Sequence, residues 1–169
     1  MHRIYSNICG LKEFGLWGKI AECLSEVLPT LPGKMKQTIA RISVLVDDYD
    51  EAIKFYTRKL NFTLLEDTQL SETKRWVVVA PKGSEGCNLL LAKAVNDEQK
   101  SRIGNQAGGR VFLFLFTDDF QQAYQNLLDQ SVTIIRQESQ EIYGRVAVFA
   151  DLYGNLWDLV EPSDNRSGL

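Results

Sequence analysis

Asp158 is a carboxylate set among apolar neighbours. The stretch around it, YGRVAVFADLYGNLWDLVEP (143–162), has two apolar runs flanking a turn rich in Asp, Gly and Asn. That pattern predicts a β-hairpin with Asp158 inside the second strand. A carboxylate there could ligate a metal, act as a catalytic acid, or only face solvent. Imidazole chemistry is excluded beyond the extreme N-terminus, because the single histidine is His2. No Ser-His or Cys-His pair and no imidazole ligand set is available to a folded core. Cys9, Cys23 and Cys87 are odd in number and widely spaced. They argue against a disulfide framework and a cysteine zinc site, and suit a reducing cytoplasm. IGNQAGGR (103–110) has three glycines but lacks the Lys-Ser/Thr ending and following helix of a phosphate loop. Its place suggests a lid or hinge.

The elements that carry these residues form an internal repeat. ISVLVDDYDEAIKFY (42–56) resembles FLFLFTDDFQQAYQN (112–126), with Asp47-Asp48-Tyr49 and Ala52 matched 71 residues later by Asp118-Asp119-Phe120 and Ala123. RWVVVA (75–80) resembles RVAVFA (145–150), 70 residues apart. Each copy reads strand, helix, strand, strand, strand. The first copy predicts strands at 39–46, 62–67, 74–80 and 87–93 and a helix at 48–60, begun by Asp47 or Asp48 as cap. The second predicts strands at 110–117, 132–137, 145–150 and 156–160 and a helix at 119–129 capped by Asp118. DDYDE (47–51) therefore reads as a helix start, not a cation site. The polar segment 94–109 reads as the linker between the copies.

Residues 1–34 stand apart. Leu11, Phe14, Trp17, Leu24 and Val27 recur at helical spacing among charges, and Pro29 and Pro32 then break any helix. The expectation is a dispensable N-terminal extension, with a domain at 35–162 (modules at about 37–93 and 110–162) and a tail at 163–169. The chain has 169 residues, 44% apolar and 24% charged, with net charge −3 and pI about 5.3. This suits a packed globular domain or two small modules. There is no basic patch to bind nucleic acid and no apolar run of membrane-spanning length.

Two βαβββ copies with an Asp-Asp-aromatic junction, closed by DLYGNLWDLVEP (151–162), resemble the vicinal oxygen chelate superfamily of glyoxalases, bleomycin-resistance proteins and extradiol dioxygenases. The resemblance covers residues 37–162. It implies an α+β fold in which two modules form a curved eight-stranded sheet around a cleft, with helices on the outer face and a homodimeric assembly. It also implies four metal-ligand positions, usually His, Glu or Gln. Here these fall on Arg41, Phe112, Asp158 and either Asn88 or Leu90. Only Asp158 is a good donor, whereas a divalent metal wants three or four. No cofactor is expected, and Asp158 is the one candidate metal ligand.

By alternation Leu156, Asp158 and Val160 share the cleft face, and Trp157 and Leu159 pack under helices. Arg41 is the cation that the resemblance sets beside Asp158. The two could form a structural ion pair or contact a polar ligand together. Phe112, Phe114 and Phe116 alternate along one strand and could wall a planar ligand. Tyr143 and Trp76 are candidates for the cleft rim. The implied function is metal-independent capture of a small, partly aromatic molecule by a cytoplasmic homodimer, with no nucleic-acid or membrane partner. The alternative is a divergent metal-dependent enzyme using Asp158 with donors such as Asn88 or Glu161. A third possibility is a vestigial cleft on a domain that only associates with partners.

Overall fold

The computed structural model describes residues 37–163; the expected helical pattern of residues 11–27 lies outside them. Module 1 contains β1 (Arg41–Val46), α1 (Tyr49–Lys54), β2 (Thr63–Gln69), β3 (Arg75–Ala80) and β4 (Asn88–Lys93). A short helix α2 (Asp97–Arg102) follows in the linker. Module 2 contains β5 (Val111–Phe116), α3 (Phe120–Asp129), β6 (Ile134–Glu141), β7 (Gly144–Ala150) and β8 (Leu156–Pro162). The repeat therefore holds element by element. The sequence reading missed α2, which Asn96 caps by accepting from the Gln99 N–H at 2.9 Å. Its short polar run carries no apolar stripe to announce a helix.

The first helix starts where the Asp-Asp pair predicts. Asp48 Oδ1 accepts from the backbone of Asp50 at 2.9 Å and Glu51 at 3.2 Å, taking up two of the N–H groups that a helix start leaves free. These bonds hold the Asp48 carboxyl below its ordinary pKa. In module 2 the cap is Asp119, not Asp118, which was expected: Asp119 accepts from the Gln122 N–H at 2.9 Å. After Lys54 the first helix widens into a π-helical turn, Phe55–Lys59. Consecutive aromatics Phe55 and Tyr56 are both buried there.

The strands pair as β1-β4-β3-β2 and β5-β8-β7-β6, so the modules share one topology. The eight strands make two open four-stranded sheets instead of one continuous sheet. At the edge of β1 the Leu45 N–H donates to Gln106 Oε1 of the linker at 2.9 Å.

One hydrophobic core joins both modules. Tyr56 and Phe62 from module 1 pack on Trp157 from module 2, with ring centroids 6.1 and 6.2 Å apart, and Trp157 stacks on Phe149 at 5.7 Å. Trp157 and Leu159 are in that core, as the alternation of the closing strand predicts. The opposite sheet faces do not share in it and are called here the open faces.

Candidate functional site

The open face of module 2 is organised by register. Phe114 on β5 lies beside Asp158 on β8, Asp158 beside Val148 on β7, and Val148 beside Arg136 on β6. The next row along runs Phe116, Val160, Val146, Ser139. Val146, Val148 and Val160 are buried and make an apolar floor. Phe114 and Phe116 stand at its edge, 60% and 54% exposed. Exposed aromatics of this size on a folded surface mark places where something else can pack.

Asp158 sits in the middle of this floor, 7% exposed. Its Oδ1 is buried without a hydrogen-bond partner among the described residues. Burial pushes the Asp158 carboxyl above its ordinary value, and the positive charge of Arg136 only partly opposes this. Arg136 is two strands away and pairs with Glu141 at 3.5 Å.

The expected pairing of Arg41 with Asp158 is therefore corrected. No ion pair joins them among the described residues; the Arg41 guanidinium lies over the Trp76 ring, 5.6 Å from its centroid. Arg41 belongs to the module 1 sheet, where its register partner is Asn88, and the charge that Asp158 feels comes from its own sheet. Phe112 is also corrected. The pairing of β5 with β8 slips between Val111 and Leu113, and Phe112 at the slip packs against the core instead of sharing the exposed face with Phe114. A bulge of this kind resets the alternation on which the expectation rested. Tyr143 is half-buried in the turn between β6 and β7, where its carbonyl accepts from the Ser163 N–H at 3.1 Å.

Module 1 has a hollow of about 430 Å3 on its own sheet. Trp76 lines it with Leu45, Leu90 and Ala92, and Val95 and Gln99 come from the linker. Ion pairs brace its rim. Arg75 reaches Asp50 at 2.7 Å and Asp67 at 2.5 Å, and Lys93 reaches Asp48 at 3.3 Å.

The register also resolves the fourth metal-ligand position. Leu90 lies beside Val78 just as Asp158 lies beside Val148, so Leu90 and not Asn88 is the counterpart of Asp158. The four positions then hold one carboxylate, one guanidinium and two hydrocarbon side chains, a set that does not fit a divalent cation. Glu161, the other acid considered, caps α3 by accepting from the Phe120 N–H at 3.1 Å. No group of three or more His, Cys, Asp or Glu that could hold a metal occurs among the described residues.

The sequence reading missed Asp151. Its buried carboxylate accepts from the Tyr56 hydroxyl and Asn155 Nδ2 at 2.9 Å each. It also accepts from the backbone of Tyr153, Gly154 and Asn155 at 3.0, 3.0 and 2.9 Å. Tyr153, read as a simple turn residue, reaches back to module 1: its hydroxyl accepts from the Asp48 N–H and donates to the Asp48 carbonyl, both at 3.2 Å. The β7–β8 hairpin thus latches the modules together beside the strand that carries Asp158. The Asp-x-x-Gly-Asn spacing is the signal that could have found it, since a turn aspartate commonly accepts from the backbone just after it.

Among the described residues no helix is long and apolar enough to cross a membrane. Residues 38–159 match the Glyoxalase/Bleomycin resistance protein/Dioxygenase superfamily. An uncharacterised protein of Shewanella frigidimarina (strain NCIMB 400) is 56% identical over 133 residues, 78% of this chain and 98% of its own. The solved structure of UcmS2 superposes with a TM-score of 0.66 at 26% identity, over 75% of this chain and 98% of that one. TnmS3, described as an antibiotic binding protein from Streptomyces sp. CB03234, gives 0.61 at 30% identity, over 77% and 98%. The two βαβββ modules and the match over nearly all of the described residues agree: the chain belongs to the Glyoxalase/Bleomycin resistance protein/Dioxygenase superfamily.

Proposed function

We propose that the protein captures a small, partly aromatic molecule on the open faces of its sheets, without a metal, as a cytoplasmic homodimer. The observation that carries this reading is the module 2 face. Two exposed phenylalanines line one edge of an apolar floor that holds a carboxylate with an unpartnered buried oxygen. A planar ligand would cover Phe114 and Phe116 and gain from their burial. The mismatched metal positions support a binding role over a reaction routed through a cation. The relative described as an antibiotic binding protein points to the same kind of ligand. A second copy would enlarge an open face into a deeper cleft, and Trp76 in module 1 is then a further wall. Nucleic acid and membrane are not part of this reading, given the net charge of −3.

Isothermal titration of the full-length protein with bleomycin and with planar aromatic compounds, before and after EDTA treatment, tests the proposal. Saturable binding that survives chelation and is weakened by Phe114→Ser is expected. Binding that vanishes on chelation and returns with a divalent cation would replace it with the metal-dependent alternative. Light scattering at tens of micromolar should show twice the monomer mass.

A further inference from the structure

The two modules provide an internal control on Asp158. They share strand order, and each carries a matching row across its open face: Ser43, Leu90, Val78, Glu66 in module 1, and Phe114, Asp158, Val148, Arg136 in module 2. The fold is served in module 1 by a leucine at the position where module 2 has a carboxylate. Folding alone therefore does not require the acid, and burying it is costly. Its immediate cross-strand neighbours are Phe114 and Val148, and Leu156 and Val160 lie two residues away along its own strand, so every adjacent side chain on the face is apolar. Oδ1 has no partner within the described residues. The opposing charge that acts on it, Arg136 two strands away, is already paired with Glu141.

A carboxyl held in this way can make a strong new bond only to a donor that arrives from outside. Its apolar surroundings would strengthen that bond, because a charge-assisted hydrogen bond gains when water is kept away. The exposed rings of Phe114 and Phe116 lie in the same row and the next. A ligand nitrogen on Asp158 would therefore leave an attached planar body over them, in positions that also suit a cation near an aromatic face.

Resting on the binding function proposed above, we infer that Asp158 is the specificity-determining anchor for a protonated amine on an aromatic ligand. Its carboxylate accepts the N–H, and Phe114 and Phe116 carry the ring. Anionic aromatic compounds are correspondingly disfavoured, since they would set a second negative charge against the first among apolar side chains.

The test uses the full-length protein and three matched probes at pH 7: 2-naphthylmethylamine, 2-naphthylmethanol and 2-naphthoate. Binding is followed by isothermal titration or saturation-transfer NMR. The amine should bind tightest and the naphthoate weakest. Asp158→Asn should weaken the amine about tenfold or more and leave the alcohol within about twofold, as expected for loss of a hydrogen bond to a charged group. Asp158→Leu, which copies module 1, should act in the same way, and near-ultraviolet circular dichroism reports whether either variant keeps its packing. Equal binding of amine and alcohol to the native protein would overturn the inference. So would an amine affinity that neither variant changes. If all three probes bind alike and Phe114→Ser weakens them all, the open face is a binding site and Asp158 is not its anchor. If none binds, both the anchor and the binding function fall.

Discussion

Replacing Asp151 by Ala should destabilise the protein more than any other single truncation of a polar side chain in the described residues. Five donors converge on its carboxylate, and three of them, the Tyr56 hydroxyl and the backbone and side-chain N–H groups of Asn155, are buried. Removing it leaves the Tyr56 hydroxyl in the core, where burial first and the neighbouring carboxylate second already push the phenol well above its ordinary pKa. A hydrogen bond to a charged group is worth about 1.5–3 kcal/mol, and bonds to one acceptor do not add. The expected cost is about 3–5 kcal/mol, the range for breaking a buried network. Tyr56→Phe removes one donor and leaves the other four, so it should cost about 1–2 kcal/mol. In the double variant the phenol is no longer orphaned, so the combined cost should fall short of the sum by about 1 kcal/mol or more. Urea unfolding followed by near-ultraviolet circular dichroism gives all three values. An Asp151→Ala cost below about 1 kcal/mol, or strictly additive effects, would show that the hairpin does not depend on this carboxylate.

Asp158 should behave in the opposite way. Burial raises its folded-state pKa above the unfolded value, so the native state holds its proton more tightly. Stability should then fall as pH rises from the ordinary carboxylate range through the raised value. Asp158→Leu should remove that fall and stabilise the protein at pH 7 by about 0.5–2 kcal/mol, a gain typical of relieving a functional site; melting temperatures measured between pH 4 and 8 check both, and a loss at pH 7 would refute the reading. A double-mutant cycle between Arg41→Ala and Asp158→Ala should be additive within about 0.5 kcal/mol, since Arg41 stacks on Trp76 and not on the acid. Gly144→Ala should cost about 3 kcal/mol or more in urea melts. Its φ is +144° and the added Cβ would sit 2.1 Å from the Glu161 carbonyl oxygen.

The repeat was legible in the sequence because each half had to bury the same kind of surface. Val44 and Val46 mark the core face of β1, and Trp157 and Leu159 that of β8. Two-residue alternation placed these correctly with no knowledge of the partner strand. Pairing between chemical groups was a different matter. Arg41 and Asp158 each face an open side, as alternation predicts, but each is on its own sheet, and nothing in a single strand states which sheet lies opposite. Phe112 was misplaced for a related reason. The slip between Val111 and Leu113 is a property of two strands in register, so a period of two read from β5 alone carries through it unbroken.

The same comparison explains why the site was harder to read than the fold. A core position is specified many times over, by period, by neighbouring elements and by the second copy of the repeat. Asp158 breaks that redundancy: the repeat supplies Leu90 at its counterpart, and only the closed register identifies the two positions as equivalent. The difference between the copies therefore locates function better than their agreement. Where the modules match, as at Asp48 and Asp119, both residues cap helices. Where they diverge, module 2 holds a buried carboxyl with an unpartnered oxygen beside the exposed aromatics of β5. Under the binding function proposed above, a bound donor would offset a cost that the free protein bears alone.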